Sequence, residues 1–325
     1  MTRWIRSVGA AVLAVAVPAV APAAGSFPER GQQLKIVVPF AAGGGVDAAA
    51  RLLGTQLQKQ LGVTVVVDNK AGGSGTIGGK AVQAAPADGY TLLFSAATHV
   101  LAKQVLSKPP YDPETDFAPV ARVGEAPLML VVSPSKPQSK LVEVIAAVRE
   151  QPEKWTAAIP ASGAPSHLAT LLMAQQAQLK LSFIPYKGTQ PALVDVAGGH
   201  TDLLLDSMIS LQQLAKAGKV KPIAVTSAQR SALAPGVPTF KESGLPNFAY
   251  ASWYGVWAPR ETPPERITAL NAAINAAVGE LAKSGAWSGL GITPVSESAE
   301  QFKRFIAADV AQGAELLKGA GFRPE

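Results

Sequence analysis

Three consecutive glycines, Gly43 to Gly45, stand between two patterned stretches, with Asp47 three residues on from Gly44. A glycine-rich turn lets backbone N–H groups converge on a ligand, and a helix starting there adds partial positive charge. That chemistry suits an anion, and Asp47 in the first helical turn suits the same dipole. The elements that must hold this turn are legible beside it. Leu34 to Val38 is a short β-branched run that reads as a buried strand. Val46, Ala49, Ala50, Leu53, Leu57 and Leu61 recur at helical spacing, and Gly62 stops them.

Other chemistries are weaker on the same evidence. Gly43-Gly-Gly45-Val-Asp-Ala48 matches G-x-G-x-x-A after a strand, and Asp68 ends the next strand where a ribose-binding acid belongs, so a dinucleotide enzyme is the strongest competitor. Gly73-Ser-Gly75-Thr-Ile-Gly78 is a second formal match. An exported chain meets no dinucleotide pool, and no later histidine or lysine has a clear proton-transfer setting. Gly79-Lys80 lacks the preceding glycine and the following Ser/Thr of a phosphate-binding loop. Ser166 and His167 are sequence neighbours that a helix points apart, and no G-x-S-x-G occurs. The three histidines have no metal-ligand spacing, and with no cysteines there is no disulfide, thiolate metal site or lipid-modified N-terminal cysteine.

The first residues read as a leader. Arg3 and Arg6 form a charged start, Val8 to Val20 an apolar core too short to span a bilayer, and Ala21-Pro-Ala23 an A-x-A cleavage signature. Residues 1–23 are therefore expected to be a signal peptide, giving a free periplasmic protein. Their loss removes two arginines and no acids, so the net charge falls from +6 to +4. That charge is scattered and lacks interleaved aromatics, which argues against nucleic acid. About 300 remaining residues suit two domains.

Along the chain a β-α-β-α-β rhythm implies a parallel sheet with helices on both faces and ligands at the strands' carboxyl ends, where the glycine turns, Ser95 and Thr98 fall. The second half repeats the logic, with Ser166 and Thr189 as helix caps and Asp206 at a strand's end. Thr262-Pro-Pro-Glu265 and Ser298-Ala-Glu-Gln301 read as capping boxes of two covering helices. Trp253, Tyr254 and Trp257 read as core between domains. The expected α/β architecture has residues 27–126 as one lobe, 127–248 as a second, and 249–325 returning to the first. Two crossing strands, Pro127–Val132 and Ala249–Trp257, form the hinge of a ligand trap.

Assembled, these residues resemble a known family. Pro39-Phe-Ala-Ala-Gly-Gly-Gly-Val-Asp-Ala-Ala-Ala-Arg51 is similar to the P-F-x-x-G-G-x-x-D-x-x-A-R signature of the Bug (Bordetella uptake gene) family, solute-binding proteins of tripartite tricarboxylate transporters. Val67-Asp-Asn-Lys-Ala-Gly72, Tyr111-Asp112, Pro165-Ser-His-Leu168, Pro185-Tyr-Lys-Gly188 and Trp253-Tyr-Gly255 extend the match in order, and it spans about residues 34–305. Ala42 and Ala71 depart from it where proline is common. The resemblance implies a two-lobed periplasmic binding protein-like fold of type II. It also implies a monomeric, cofactor-free, non-enzymatic binder that delivers a small carboxylate to a membrane permease. Carried over, the ligand contacts would be Phe40, Ala41, Ala42, Gly43, Gly44 and Gly45, with Asp47 shaping the loop and Ser95 and Thr98 beside it. Ser162, Gly163, Ser166, Lys187 and Asp206 would come from the second lobe. No arginine stands in these loops, so backbone N–H groups would carry most recognition. The family's ligands range over di- and tricarboxylates, acidic amino acids, aromatic acids and neutral amides, and an amine-bearing ligand would want Asp206 free. A binder that signals to a sensor kinase is a further alternative.

Overall fold

The computed structural model describes residues 27–29 and 31–325, so the expected leader at residues 1–23 lies outside the described residues. The elements run β1 (Gln33–Val38), α1 (Gly45–Leu61), β2 (Thr64–Asn69), α2 (Thr76–Gln83), β3 (Thr91–Ser95), then two single turns, α3 (Ala97–Val100) and α4 (Ala102–Val105). They continue with β4 (Phe117–Val132), α5 (Leu141–Glu150), β5 (Thr156–Ile159), α6 (Pro165–Ala177), β6 (Ser182–Pro185), α7 (Thr189–Gly198), β7 (Leu203–Ser207) and α8 (Met208–Lys216). The remainder is β8 (Lys221–Val225), β9 (Ala251–Pro259), α9 (Pro264–Lys283), α10 (Ala286–Gly289), β10 (Thr293–Pro294) and α11 (Ala299–Gly319).

The strands follow one order, β2-β1-β3-β9-β4-β7-β5-β6. β1 is parallel to β2 and β3, and β5 to β6 and β7, as the crossover helices require. β9 runs antiparallel to β3, and β4 runs antiparallel to both β9 and β7. The long strand β4 belongs to both halves. Its residues Phe117–Pro127 pair with β9, and Leu128–Val132 lie between β7 and β8. The chain returns opposite the same point, for Pro127 is the register partner of Ala251. Both crossings thus sit side by side, which is the geometry of a two-stranded hinge between lobes. From sequence only Pro127–Val132 reads as a strand here, because prolines interrupt the stretch before it; β4 in fact begins at Phe117. Pro119 sits at a register shift and Pro127 at the crossing, both places where a missing N–H costs no ladder bond.

Helices cover both faces of each sheet. On the first, α1 and α9 bury Leu53, Leu57, Ile274 and Val278 against Ile36 and Leu92. On the opposite face Trp253, Trp257 and Phe302 of α11 pack together. A Cβ at Gly255 would stand 2.7 Å from Trp257 Cη2 and closer to Phe302 Cζ, so only glycine lets these rings lie on β9. The same cluster takes in Leu168 and Leu171 of α6, so the tryptophans pack between the first-lobe sheet and the second lobe, as the sequence leads one to expect. The second lobe has its own core around Leu128, Leu130, Met173, Leu203 and Phe240. Ser298 and Gln301 form a reciprocal capping box for α11. At α9 the expected box is absent, because Pro263 occupies the cap position and the helix starts at Pro264. Among the described residues no helix is long and apolar enough to cross a membrane, and no acid or histidine cluster is placed to hold a metal.

Candidate functional site

The turn after β1 is locked by one carboxylate. Asp47 Oδ2 accepts from Gly43 N–H (2.9 Å) and Arg51 Nε (3.0 Å), and Oδ1 accepts from Asn69 Nδ2 (2.9 Å). Asn69 also donates to the Phe40 carbonyl (3.1 Å) and accepts from Arg51 (2.8 Å). Gly43 must sit at φ +85° to aim its N–H back at Asp47, a conformation that disfavours side chains. Burial alone would raise the Asp47 carboxyl. The hydrogen bonds from Arg51, Gly43 and Asn69, with the Arg51 charge, outweigh it and hold the group below its ordinary range. Loop 39–44 is thus preorganised, with the N–H groups at the start of α1 left without intrahelical acceptors.

Across the cleft the second lobe meets this loop directly. Ala41 N–H donates to the Lys187 carbonyl (3.1 Å), and Gln190 Nε2 donates to the Gly43 carbonyl (2.7 Å). Gly188 lies so near that a Cβ there would stand 3.0 Å from Ala41 N. The lobes are closed on each other at this rim.

Behind the rim lies a small cavity of about 40 Å³. Four helices begin at its wall: α1 at Gly44 and Gly45, α6 at Ala164 and Pro165, α7 at Thr189, and α8 at Ser207. All follow the carboxyl ends of parallel strands, β1 in one lobe and β5, β6 and β7 in the other, so strand direction and lobe closure bring them together. Their dipoles converge on one volume that no Lys, Arg or His lines. Tyr254 and Ser252 of β9, Phe40 and Ala96 close the remaining sides.

Seven of the fourteen residues expected from sequence line this cavity: Phe40, Ala41, Gly44, Gly45, Asp47, Thr98 and Asp206. The other seven are placed around it. Ala42 is exposed at the rim, and Gly43 spends its N–H on Asp47 and its carbonyl on Gln190. Lys187 points its side chain to solvent and contributes only its carbonyl. Ser95 and Ser166 are fully buried, their hydroxyls without a partner among the described residues. Ser162 donates to the Glu325 carboxylate (3.0 Å), and Gly163 N–H donates to His167 Nδ1 (3.1 Å) while packing on Val105. Burial lowers His167 to about 4, so it stays neutral and accepts that bond.

Two cap assignments also shift. Pro165 takes the first helical position of α6 with Ala164 as its cap, which moves Ser166 inside the helix. Gly188 caps α7, freeing the Thr189 hydroxyl to donate to Asp206 Oδ2 (2.6 Å). Asp206 is 7 % exposed. Burial, opposed by the Thr189 hydroxyl and the Ser207 N–H, pushes it up to about 6. Asp68, the acid at ribose-binding spacing, pairs with Lys70 (3.4 Å) and does not line the cavity.

The fold and cleft define a periplasmic binding protein. The structure of the periplasmic binding protein BugD superposes with a TM-score of 0.84 at 35% identity, over 92% of this chain and 100% of that one. An R. palustris protein solved with adipate matches with a TM-score of 0.86 at 34% identity, over 92% and 100%. The tripartite tricarboxylate transporter family receptor model, TctC, matches residues 49–322. The chain belongs to this TctC family. Among curated relatives, protein BugT of Bordetella pertussis is 36% identical over 323 residues, 99% of this chain and 98% of its own length.

Proposed function

We propose that this protein is a periplasmic solute receptor that captures a small carboxylate between its lobes and delivers it to the membrane permease of a tripartite tricarboxylate transporter. The carrying observation is the convergence of four helix N-termini on one cleft cavity lined by no cationic side chain. Such a site binds an anion through fixed backbone dipoles, at no cost in ordering long charged side chains. The adipate held by the R. palustris neighbour supports the same ligand class. Export through cleavage after Ala23, lobes bounded at residues 126/127 and 248/249, and ligand contact by the expected residues that line the cavity complete the proposal.

A thermal-shift panel on protein unfolded and refolded to strip bound solute tests it. Ligand at about 100 times its Kd adds about 2.7 kcal/mol, which raises the melting temperature by roughly 5 °C for a chain of this size. The expected result is a shift confined to one group of small carboxylates. A shift with NAD and none with any acid would overturn the proposal in favour of a dinucleotide protein.

A further inference from the structure

The cavity has two unlike poles. At the first-lobe pole stand the free N–H groups that open α1 and the Thr98 hydroxyl, which is 1 % exposed and has no partner among the described residues. At the second-lobe pole stands Asp206, whose carboxylate offers about four acceptor positions. Its one side-chain donor is Thr189 Oγ1. Every element packed against Asp206 leaves this pole without a cation. α1 brings Asp47, already paired with Arg51 (3.0 Å) on its far side. β9 brings Tyr254, which burial holds protonated by pushing it up to about 12, and α7 and α8 bring hydroxyls and backbone. β4 sets Met129 opposite Asp206 in register.

Resting on the carboxylate-receptor reading above, we propose that the site selects small carboxylates whose other end carries a hydrogen-bond donor, an ammonium above all, and that Asp206 reads that donor. A carboxylate at the first pole meets the N–H groups that open α1 and the Thr98 hydroxyl, while the Asp47 carboxylate is occupied by Gly43, Arg51 and Asn69. A second carboxylate at the other pole meets an uncompensated anion in a desolvated site, whereas an ammonium supplies the counter-charge and fills the open acceptor positions. At lower pH a protonated Asp206 can instead donate to a second carboxylate, so dicarboxylates should gain affinity as Asp206 takes up its proton.

The test is calorimetric titration of stripped protein with matched pairs in which an ammonium replaces one carboxylate: succinate with 3-aminopropanoate, glutarate with 4-aminobutanoate, adipate with 5-aminopentanoate. At about pH 8 the wild type is expected to bind the best amino acid at least about tenfold more tightly than its dicarboxylate partner, and Asp206→Asn to cancel or invert that ratio. A purely structural role for Asp206, holding Thr189, would weaken both members equally and leave the ratio unmoved, which would overturn the proposal. The wild type alone supplies a second readout: at about pH 5 dicarboxylate affinity should rise several-fold, and a flat profile counts against the proposal. Tight dicarboxylate binding at pH 8, unchanged in Asp206→Asn, would overturn this inference and leave the receptor function intact. Binding of neither class, together with no thermal shift from any acid of the wider panel, would instead overturn the receptor function on which it rests.

Discussion

Replacing Gly45 with alanine is expected to weaken solute binding by about 100-fold or more, equivalent to about 2.7 kcal/mol, without loss of fold stability. Gly45 opens α1 at the cavity wall, and a Cβ there would stand 2.8 Å from Ser207 Cβ, nearer still to its hydroxyl, and 3.2 Å from the Tyr254 hydroxyl. Ser207 belongs to the opposite lobe, so the methyl group acts as a wedge against closure. Its hydroxyl can rotate away, but its Cβ cannot. The clash with Ser207 exists only when the lobes meet, the Tyr254 hydroxyl within the first lobe has a rotatable side chain behind it, and alanine is a better helix former than glycine. Titration calorimetry reads the affinity and chemical denaturation reads the stability. The double variant Gly45→Ala with Ser207→Gly removes the opposing atoms and should recover most of the lost affinity. Unchanged affinity in Gly45→Ala would show that solute binds without this closure.

Asp47→Ala is expected to cost about 3 kcal/mol of stability, the scale for removing a buried group that satisfies several partners. The substitution strips the acceptor from Gly43 N–H, Arg51 and Asn69 together, so loop 39–44 loses the tie that sets Gly43 at positive φ. Affinity should fall with it, because the same loop supplies the N–H groups at the cavity. The pH dependence follows from the depressed Asp47 carboxyl. A group held lower in the folded than in the unfolded state stabilises fully above its unfolded value, about 3.9 for an aspartate. That contribution is lost as the pH falls through the lower folded value. The wild type should therefore lose stability on acidification where Asp47→Ala has none of this component left to lose. Urea midpoints measured from neutral pH to below the unfolded value check both points. Equal midpoints at neutral pH would contradict the account of the loop.

What the sequence discloses and what it hides divide along sequence separation. The strand, glycine turn and helix around Gly43 to Gly45 are legible because their apolar pattern, the glycines, Asp47 and Arg51 all lie within about a dozen positions, although Asn69 and Gln190 reach the turn from farther away. Asp47 and Arg51 share a helix face, and Asn69 follows the adjacent parallel strand. The lobes' alternating rhythm and the crossing at Pro127 are legible for the same reason. Tyr254 and Ser252 reach the cavity only because β9 inserts between β3 and β4, a pairing no local pattern announces. Ser162 looks like a free loop hydroxyl until Glu325, far along the chain, is folded against it. Thr189 carries a capping residue's type, yet Gly188 takes the cap and turns the hydroxyl toward Asp206. A glycine before that threonine, like the proline before Ser166, was the local signal that both caps sit one or two residues earlier.

The most direct measurement is a crystal structure of the stripped protein with the acid that stabilises it most. The account predicts the ligand's carboxylate inside the cavity, its oxygens about 3 Å from N–H groups at the start of α1, with the Ala41–Lys187 and Gln190–Gly43 bonds closed over it. A ligand bound elsewhere, or a carboxylate held by a lysine or arginine outside this cavity, would contradict it.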